Sequence, residues 1–392
     1  MRDNNQDFLK EINEEVGKLV GQEPTAFEEP QVNRRGQRGA QQEKFRLSRK
    51  ALAWIIVLSV LIVLVGGSTG AYFILLNYGR RTLEDHIALE GVQLSAPEDA
   101  IVADGFETIT WNGKTYAKKN SVLNVLCLGI DNNTTMPTEE DEVINGTAGQ
   151  ADTIFLAVLD TATGELTLLN ISRDSMTDVD VYNADGEFVD TREMQACLAY
   201  AYGDGGESSC LNMVKSVSRL MYGIPVDAYA VLDLPAVGIL NDAVGGVEVT
   251  VLEDLSDRDP AMTEGARVLL QGNQAEIYVR SRNKATLASN NQRMARQKQY
   301  ITSFFYKASA QIREEWSTVL TLYQAVQAYS QTSFRIPQIV YLATLVSKVD
   351  FSEKDIITIP GSVTKGEEFA EYHVFDDDLF QIILDTYYQE IS

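Results

Sequence analysis

Residues 278–298 read YVRSRNKATLASNNQRMARQK, and no aspartate or glutamate occurs between Ile277 and Tyr300, although the chain averages about one acid every seven residues. Arg280 and Arg282 are spaced i, i+2 and would share a face on a strand, whereas Arg293, Arg296 and Gln297 would share one on a helix. Guanidinium forks suit bidentate capture of phosphate oxygens, and concentrating them costs self-repulsion that an anionic ligand relieves. The bland alternative is a solvated cationic face paired to acids elsewhere. A complementary set of acids stands at the ends of apolar runs: Asp131 after VLCLGI, Asp152 before TIFLAVL, and Asp174 beside Arg173 after LTLLNIS. In α/β sheets such ends face the crevice where ligands bind. Carboxylates there could hold Mg²⁺, which takes one or two protein carboxylates plus substrate phosphates and water. Singly, each Asp reads more simply as a turn or cap residue, and Asp233 and Asp242 read as structural.

Acids for a divalent cation and arginines for phosphate together describe phosphoryl transfer, with positive charge set against the transferred group and a carboxylate available to take the acceptor's proton. The sequence contains no GxxxxGK[ST] and no kinase HRD or DFG set, so the nucleotide-triphosphate enzymes drop out. With two histidines, three cysteines and no HExxH or CxxC pair, zinc chemistry is also disfavoured. A formal net charge of −23 opposes binding to nucleic acid.

The elements that must position these residues follow from pattern. Residues 122–130 and 153–159 are continuous apolar runs, as expected of central strands covered on both faces, and the second turns through Asp160–Gly164 into 165–171. This hairpin brings Asp152 and Arg173-Asp174 to one edge, where neighbours on a strand point oppositely: Arg173 toward phosphate, Asp174 as its support. Further strands are expected at 227–232 and 246–252, and helices at 192–202, 208–222, 292–310, 313–330, 335–347 and 377–390. The fold class is therefore α/β, a mixed central sheet flanked by helices.

Residues 51–76 carry no charge over 26 positions, which at about 1.5 Å per residue exceeds a bilayer's hydrocarbon core and predicts one N-terminal transmembrane helix. Seven Lys/Arg between Arg34 and Lys50, against Arg80 and Arg81 after the span, put residues 1–50 in the cytoplasm and everything beyond about 77 outside. Residues 5–20 have the spacing of a short amphipathic helix, and 77–119 read as a stalk followed by a hairpin around Asn112-Gly113. In an exterior location Cys197 and Cys210 could be a disulfide or two free buried thiols; Cys127 reads as a core residue.

The ordered segments NVLCLGID, ADTIFLAVLDTATGELTLLNISRDS, ILNDAVGGVEV, LQGNQAEIYVRSR and QRMARQKQ resemble the LytR-CpsA-Psr (LCP) envelope proteins of bacteria. The resemblance covers about 120–310 firmly and implies one catalytic domain over 120–392. It implies an α/β/α fold and an extracytoplasmic, Mg²⁺-dependent phosphotransferase. Such an enzyme attaches a polyprenyl-pyrophosphate-linked glycopolymer, of teichoic acid or capsule type, to peptidoglycan at the cell membrane. Carried over by motif, Asp131 and Asp152 would be the metal-linked acids, and Arg173, Arg280, Arg282, Arg293 and Gln297 would contact pyrophosphate. The alternative is a non-catalytic polyprenyl-phosphate-binding or regulatory envelope protein. The chain departs from the family pattern at Gln150, where arginine is common, at Asn132-Asn133, and at Asn290, where aspartate is common. Each departure removes charge from the expected site.

Overall fold

The computed structural model describes residues 72–83, 87, 91–131, 149–183, 185–281, 289–366 and 369–392, with side chains of 289–291 excepted. The amphipathic stretch 5–20, the insertion after Asp131, Arg282 and most of the apolar run 51–76 lie outside these residues. Residues 72–81 are helical, and no helix among the described residues is long and apolar enough to cross a membrane.

In chain order the first strands are β1 (Ile101–Ala103), β2 (Thr108–Trp111), β3 (Lys114–Lys118), β4 (Val122–Ile130), β5 (Ala151–Asp160), β6 (Leu166–Ile171), β7 (Met176–Tyr182) and β8 (Phe188–Gln195). Helices α1 (Leu198–Ala201) and α2 (Glu207–Leu220), strand β9 (Ala228–Asp233), helix α3 (Leu234–Ala243), and strands β10 (Val247–Thr250) and β11 (Arg267–Leu270) follow. Then come helices α4 (Asn273–Arg280), α5 (Ser289–Glu314) and α6 (Thr318–Val326), strand β12 (Ser330–Thr332) and helix α7 (Ile336–Val346). The chain ends with β13 (Ile356–Thr358), β14 (Gly361–Lys365), β15 (Ala370–Val374), α8 (Asp376–Tyr387) and β16 (Tyr388–Glu390).

The central sheet has six strands in the order β12-β9-β4-β5-β6-β13. It is mixed, as the sequence pattern implied: β4 runs antiparallel to β5 and parallel to β9, and β6 runs antiparallel to β5 and parallel to β13. Leu126, Leu128, Ile154, Leu156 and Leu169 pack into the main core on one face, while Cys127, Phe155 and Leu168 on the other pack with Ile301 and Phe305 of α5, so the runs are apolar on both faces. The β5–β6 turn is closed by Asp160, whose carboxylate accepts bonds from Ser121 Oγ (2.7 Å) and the Ala162 amide (2.9 Å). Those donors hold its pKa below the ordinary value even though burial pushes the other way.

Residues 107–119 form the expected hairpin, with Asn112 and Gly113 at φ 50° and 77°. It is part of the main body: β3 pairs with β16, and Trp111 meets Phe380 of α8 edge-on at 5.3 Å. The helix expected over 192–202 is strand up to Gln195, because Gln195 pairs with Met176 in the β7–β8 ribbon and tertiary pairing overrides the local helix formers. The helix expected over 313–330 is interrupted, α6 being flanked by the end of α5 and by β12. Cys197 and Cys210 are two free, buried thiols.

Candidate functional site

Four strand ends converge on one edge of the central sheet. Register pairs Ile130 with both Ala151 and Asp233, and Ile154 with Ile171. Asp131, Asp152, Asp233 and the Arg173-Asp174 turn therefore gather at the same edge, as inferred for β5 and β6 from the hairpin. A register shift between Gly129 and Ile130 sits immediately before Asp131; such bulges bend a strand and re-aim its end.

The arginines come from two helices. Arg280, which would share a face with Arg282 if the two lay on a strand, is the last residue of α4, a helix with Gly272 as N-cap and Ala275 and Tyr278 buried. The pattern NQAEIYVR buries every third residue, and the i, i+2 spacing of two arginines carried less information than that period. Arg280 bridges to Asp131 at 2.8 Å and to Glu276, one turn earlier, at 3.5 Å. Arg293 and Gln297 project from α5, and the Gln297 amide donates to the Val279 carbonyl at 3.2 Å. Arg296 does not share their outlook. It is fully buried, pairs with Glu253, and donates to the carbonyls of Tyr278 (2.7 Å) and Ser281. Burial lowers its pKa to about 10, which leaves it charged.

Arg173 is held by four neighbours: the carboxylate of Asp152, the side-chain oxygen of Gln150, the sulfur of Cys197 at 3.3 Å and Asp174 at 3.6 Å. Gln150, a departure from the family pattern, is thus an acceptor for Arg173. Asp174 does serve the local turn, its carbonyl accepting the Tyr372 amide at 2.8 Å and its carboxylate accepting from Gln195 at 3.4 Å. Arg173 stands behind Asp152, outside the lining of the cavity next described.

That cavity, about 340 Å³, opens beneath this edge. Asp131, Asp152, Arg280, Arg293 and Gln297 stand in its wall, with Asp233 beside them. The remainder is mainly apolar, including Phe155, Leu232, Leu240, Tyr300 and Phe304. Asp233 is fully buried, and neither carboxylate oxygen has a hydrogen-bond partner among the described residues. Burial, and then the charge of Asp131, push its pKa up to about 7. The sequence placed Asp233 among structural acids. The missed signal is that YAVLD ends before a helix start in the same way that VLCLGID ends a strand. Asp242 is structural as expected, accepting the Gly272 amide at 2.7 Å.

Among the described residues no group of three or more His, Cys, Asp or Glu is poised around a metal. Mg²⁺ needs less than that. Its usual protein donors are one or two carboxylates, and the wall supplies Asp131 and Asp152 with the orphaned, buried carboxylate of Asp233 nearby. An all-oxygen carboxylate donor set fits a hard cation.

The profile of the LytR_cpsA_psr family matches residues 90–384. One relative is the polyisoprenyl-teichoic acid–peptidoglycan teichoic acid transferase TagU of Enterococcus faecalis, 27% identical over 179 residues, 45% of this chain and 52% of that protein. Another, TagV of Bacillus subtilis, carries the same transferase name and is 23% identical over 251 residues, 62% of this chain and 58% of that protein. The matched stretch thus spans little more than half of either relative. The crystal structure of B. subtilis TagV superposes with a TM-score of 0.51 at 20% identity, covering 67% of this chain and 95% of that one, which establishes a common fold. The sequence profile, spanning strands, helices and cavity alike, shows that the chain belongs to the LytR-CpsA-Psr (LytR_cpsA_psr) family.

Proposed function

We propose that this protein is a membrane-anchored phosphotransferase. It would move a glycopolymer from a polyprenyl-pyrophosphate lipid onto peptidoglycan outside the cell. The observation that carries this reading is the pairing of an acid-and-arginine edge with a mainly apolar cavity of about 340 Å³. That combination suits a ligand with a pyrophosphate head and a hydrocarbon tail. The names of the E. faecalis and B. subtilis relatives supply the substrate class.

In this reading Arg280, Arg293 and Gln297 take the pyrophosphate oxygens at the cavity wall, while Arg173 orients Asp152 and adds positive charge behind it. The acceptor hydroxyl, giving its proton to a carboxylate of the edge, attacks the phosphorus next to the sugar; the bond to polyprenyl phosphate breaks, releasing that phosphate and leaving a phosphodiester. Electrostatic stabilisation of the transferred group carries most of the catalysis. Mg²⁺, held by Asp131 and Asp152, would neutralise charge on the leaving phosphate. The apolar span 51–76 would anchor the chain, with the cation-rich residues 1–50 in the cytoplasm.

The test uses the full chain in detergent with a synthetic polyprenyl-pyrophosphate glycan, peptidoglycan fragments and Mg²⁺, the product being read by mass spectrometry. A glycan–peptidoglycan phosphodiester that disappears with EDTA is the expected result. A bound lipid that is never turned over, with EDTA making no difference, would instead make the protein a lipid-binding envelope component.

A further inference from the structure

The most deeply buried cation among the described residues is not in the phosphate-facing set. Arg296 is completely inaccessible and is the largest fully buried side chain there. Its guanidinium donates to the carbonyls of Tyr278 and Ser281 and is ion-paired with the Glu253 carboxylate. The next residue, Gln297, serves the Val279 carbonyl at 3.2 Å. Three carbonyls around the C-terminal turn of α4 are thus taken by two adjacent residues of α5. The last carbonyls of a helix have no partner within the helix and carry its negative partial charge, so a buried cation there is well matched. Arg280 is the last residue of that same turn. Arg293 lies one turn before Arg296 on α5. The guanidinium also sits 5.9 Å from the centre of the Tyr278 ring, and Tyr278 Oη bonds Gln299 of α5 at 2.5 Å.

We propose that Arg296 is a positioning residue, a buried tether that caps α4 with α5 and so fixes the spacing between Arg280 and Arg293. It acts through them and does not touch the ligand. The placement explains why a cation is spent in a closed interior: a neutral side chain could fill the volume but could not fork to two carbonyls and a carboxylate at once. Glu253, 15% exposed in its side chain, balances the charge, so the tether adds no net charge to the site. The proposal rests on the pyrophosphate reading of the cavity for its functional consequence, although the tether itself does not.

The test compares Arg296→Lys with the unaltered full chain in detergent, using farnesyl pyrophosphate and farnesol as probes and amide hydrogen exchange as a second readout. Lysine keeps the charge but loses the fork. Affinity for farnesyl pyrophosphate should fall about tenfold to a hundredfold, the effect expected of misplaced binding groups, with farnesol binding unchanged. Exchange across 278–281 should quicken while that of α2 stays as it was. Equal loss for both probes, or no loss for either, overturns the proposal. If Arg296→Lys does not fold, Arg296→Gln replaces it, which also loses the fork, and unaltered exchange at 278–281 in that variant overturns the proposal equally. Failure of the unaltered protein to bind farnesyl pyrophosphate would sink the functional reading. The exchange arm would then still decide the tether.

Discussion

Asp131 and Arg280 are 149 residues apart in sequence, yet their side chains meet at 2.8 Å. The contact joins the end of β4 to the end of α4 and brings an expected metal-linked acid against an expected phosphate ligand. Arg280 is 47% exposed in its side chain, so the pair contributes little stability, about 0–1 kcal/mol. Arg280→Ala should therefore melt within a few degrees of the unaltered protein while transferase activity falls at least about a hundredfold. Parallel melting curves and turnover rates check both halves.

Arg173→Ala tests the other edge. The substitution strips Asp152 of its cation and Gln150 of its donor. The protein should remain folded with a loss of about 1–3 kcal/mol, and turnover should be abolished. Circular dichroism with an activity assay separates the outcomes; an unfolded variant would make Arg173 structural instead.

The fold and the site were legible in the sequence to different depths. The hairpin through Asp160–Gly164 gave the shared edge of Asp152 and Arg173, because a strand pair and its turn are local. The parallel pairing of β4 with β9, which adds Asp233 to that edge, spans about a hundred residues and leaves no local trace. Arg293, Arg296 and Gln297 shared a helical face as spaced, but spacing cannot say what the face meets. Two of them border the cavity while Arg296 is buried under α4. The i, i+2 spacing of Arg280 and Arg282 suggested a shared face if they lay on a strand, but Arg280 ends α4, whose eight residues are too few for the helical period to stand out in the sequence.

Asp233 should make stability pH-dependent in an unusual direction. Its pKa in the folded protein is raised to about 7 from an ordinary 3.8, so the native state holds the proton more tightly than the unfolded chain does. The stabilising contribution is full below the ordinary value and is lost as pH rises through about 7. Asp233→Asn should raise the melting temperature at pH 8 and flatten this component of the pH dependence. Thermal melts from pH 5 to pH 8 provide the comparison, and an unchanged slope would show that Asp233 is solvated.

The thiols should remain reduced. Cys197 bonds Arg173 and Cys210 is fully buried, burial pushing both thiols above their ordinary range. Alkylation after unfolding, without reductant, should label all three cysteines, and a reducing agent should leave the melting temperature unchanged.

Ala230 lines the cavity from β9, where a larger side chain would project into space that the functional reading gives to hydrocarbon. Ala230→Phe should weaken binding of long prenyl pyrophosphates more than that of inorganic pyrophosphate. The ratio of the two affinities is the quantity to measure.

The acid–arginine contacts also bear on which phosphates can enter. Asp131 is engaged with Arg280 and Asp152 with Arg173, so the ligand-free edge is self-neutralised, a closed zip of opposite charges. A free phosphate ion would gain an arginine only by prising it from a carboxylate, an exchange with little net return. An amphiphile brings a second source of free energy, about 25 cal/mol for each Å² of hydrocarbon withdrawn from water into the cavity. On the proposed function the tail would act as the key that opens the zip, and the edge would discriminate against soluble phosphates without any residue built to repel them.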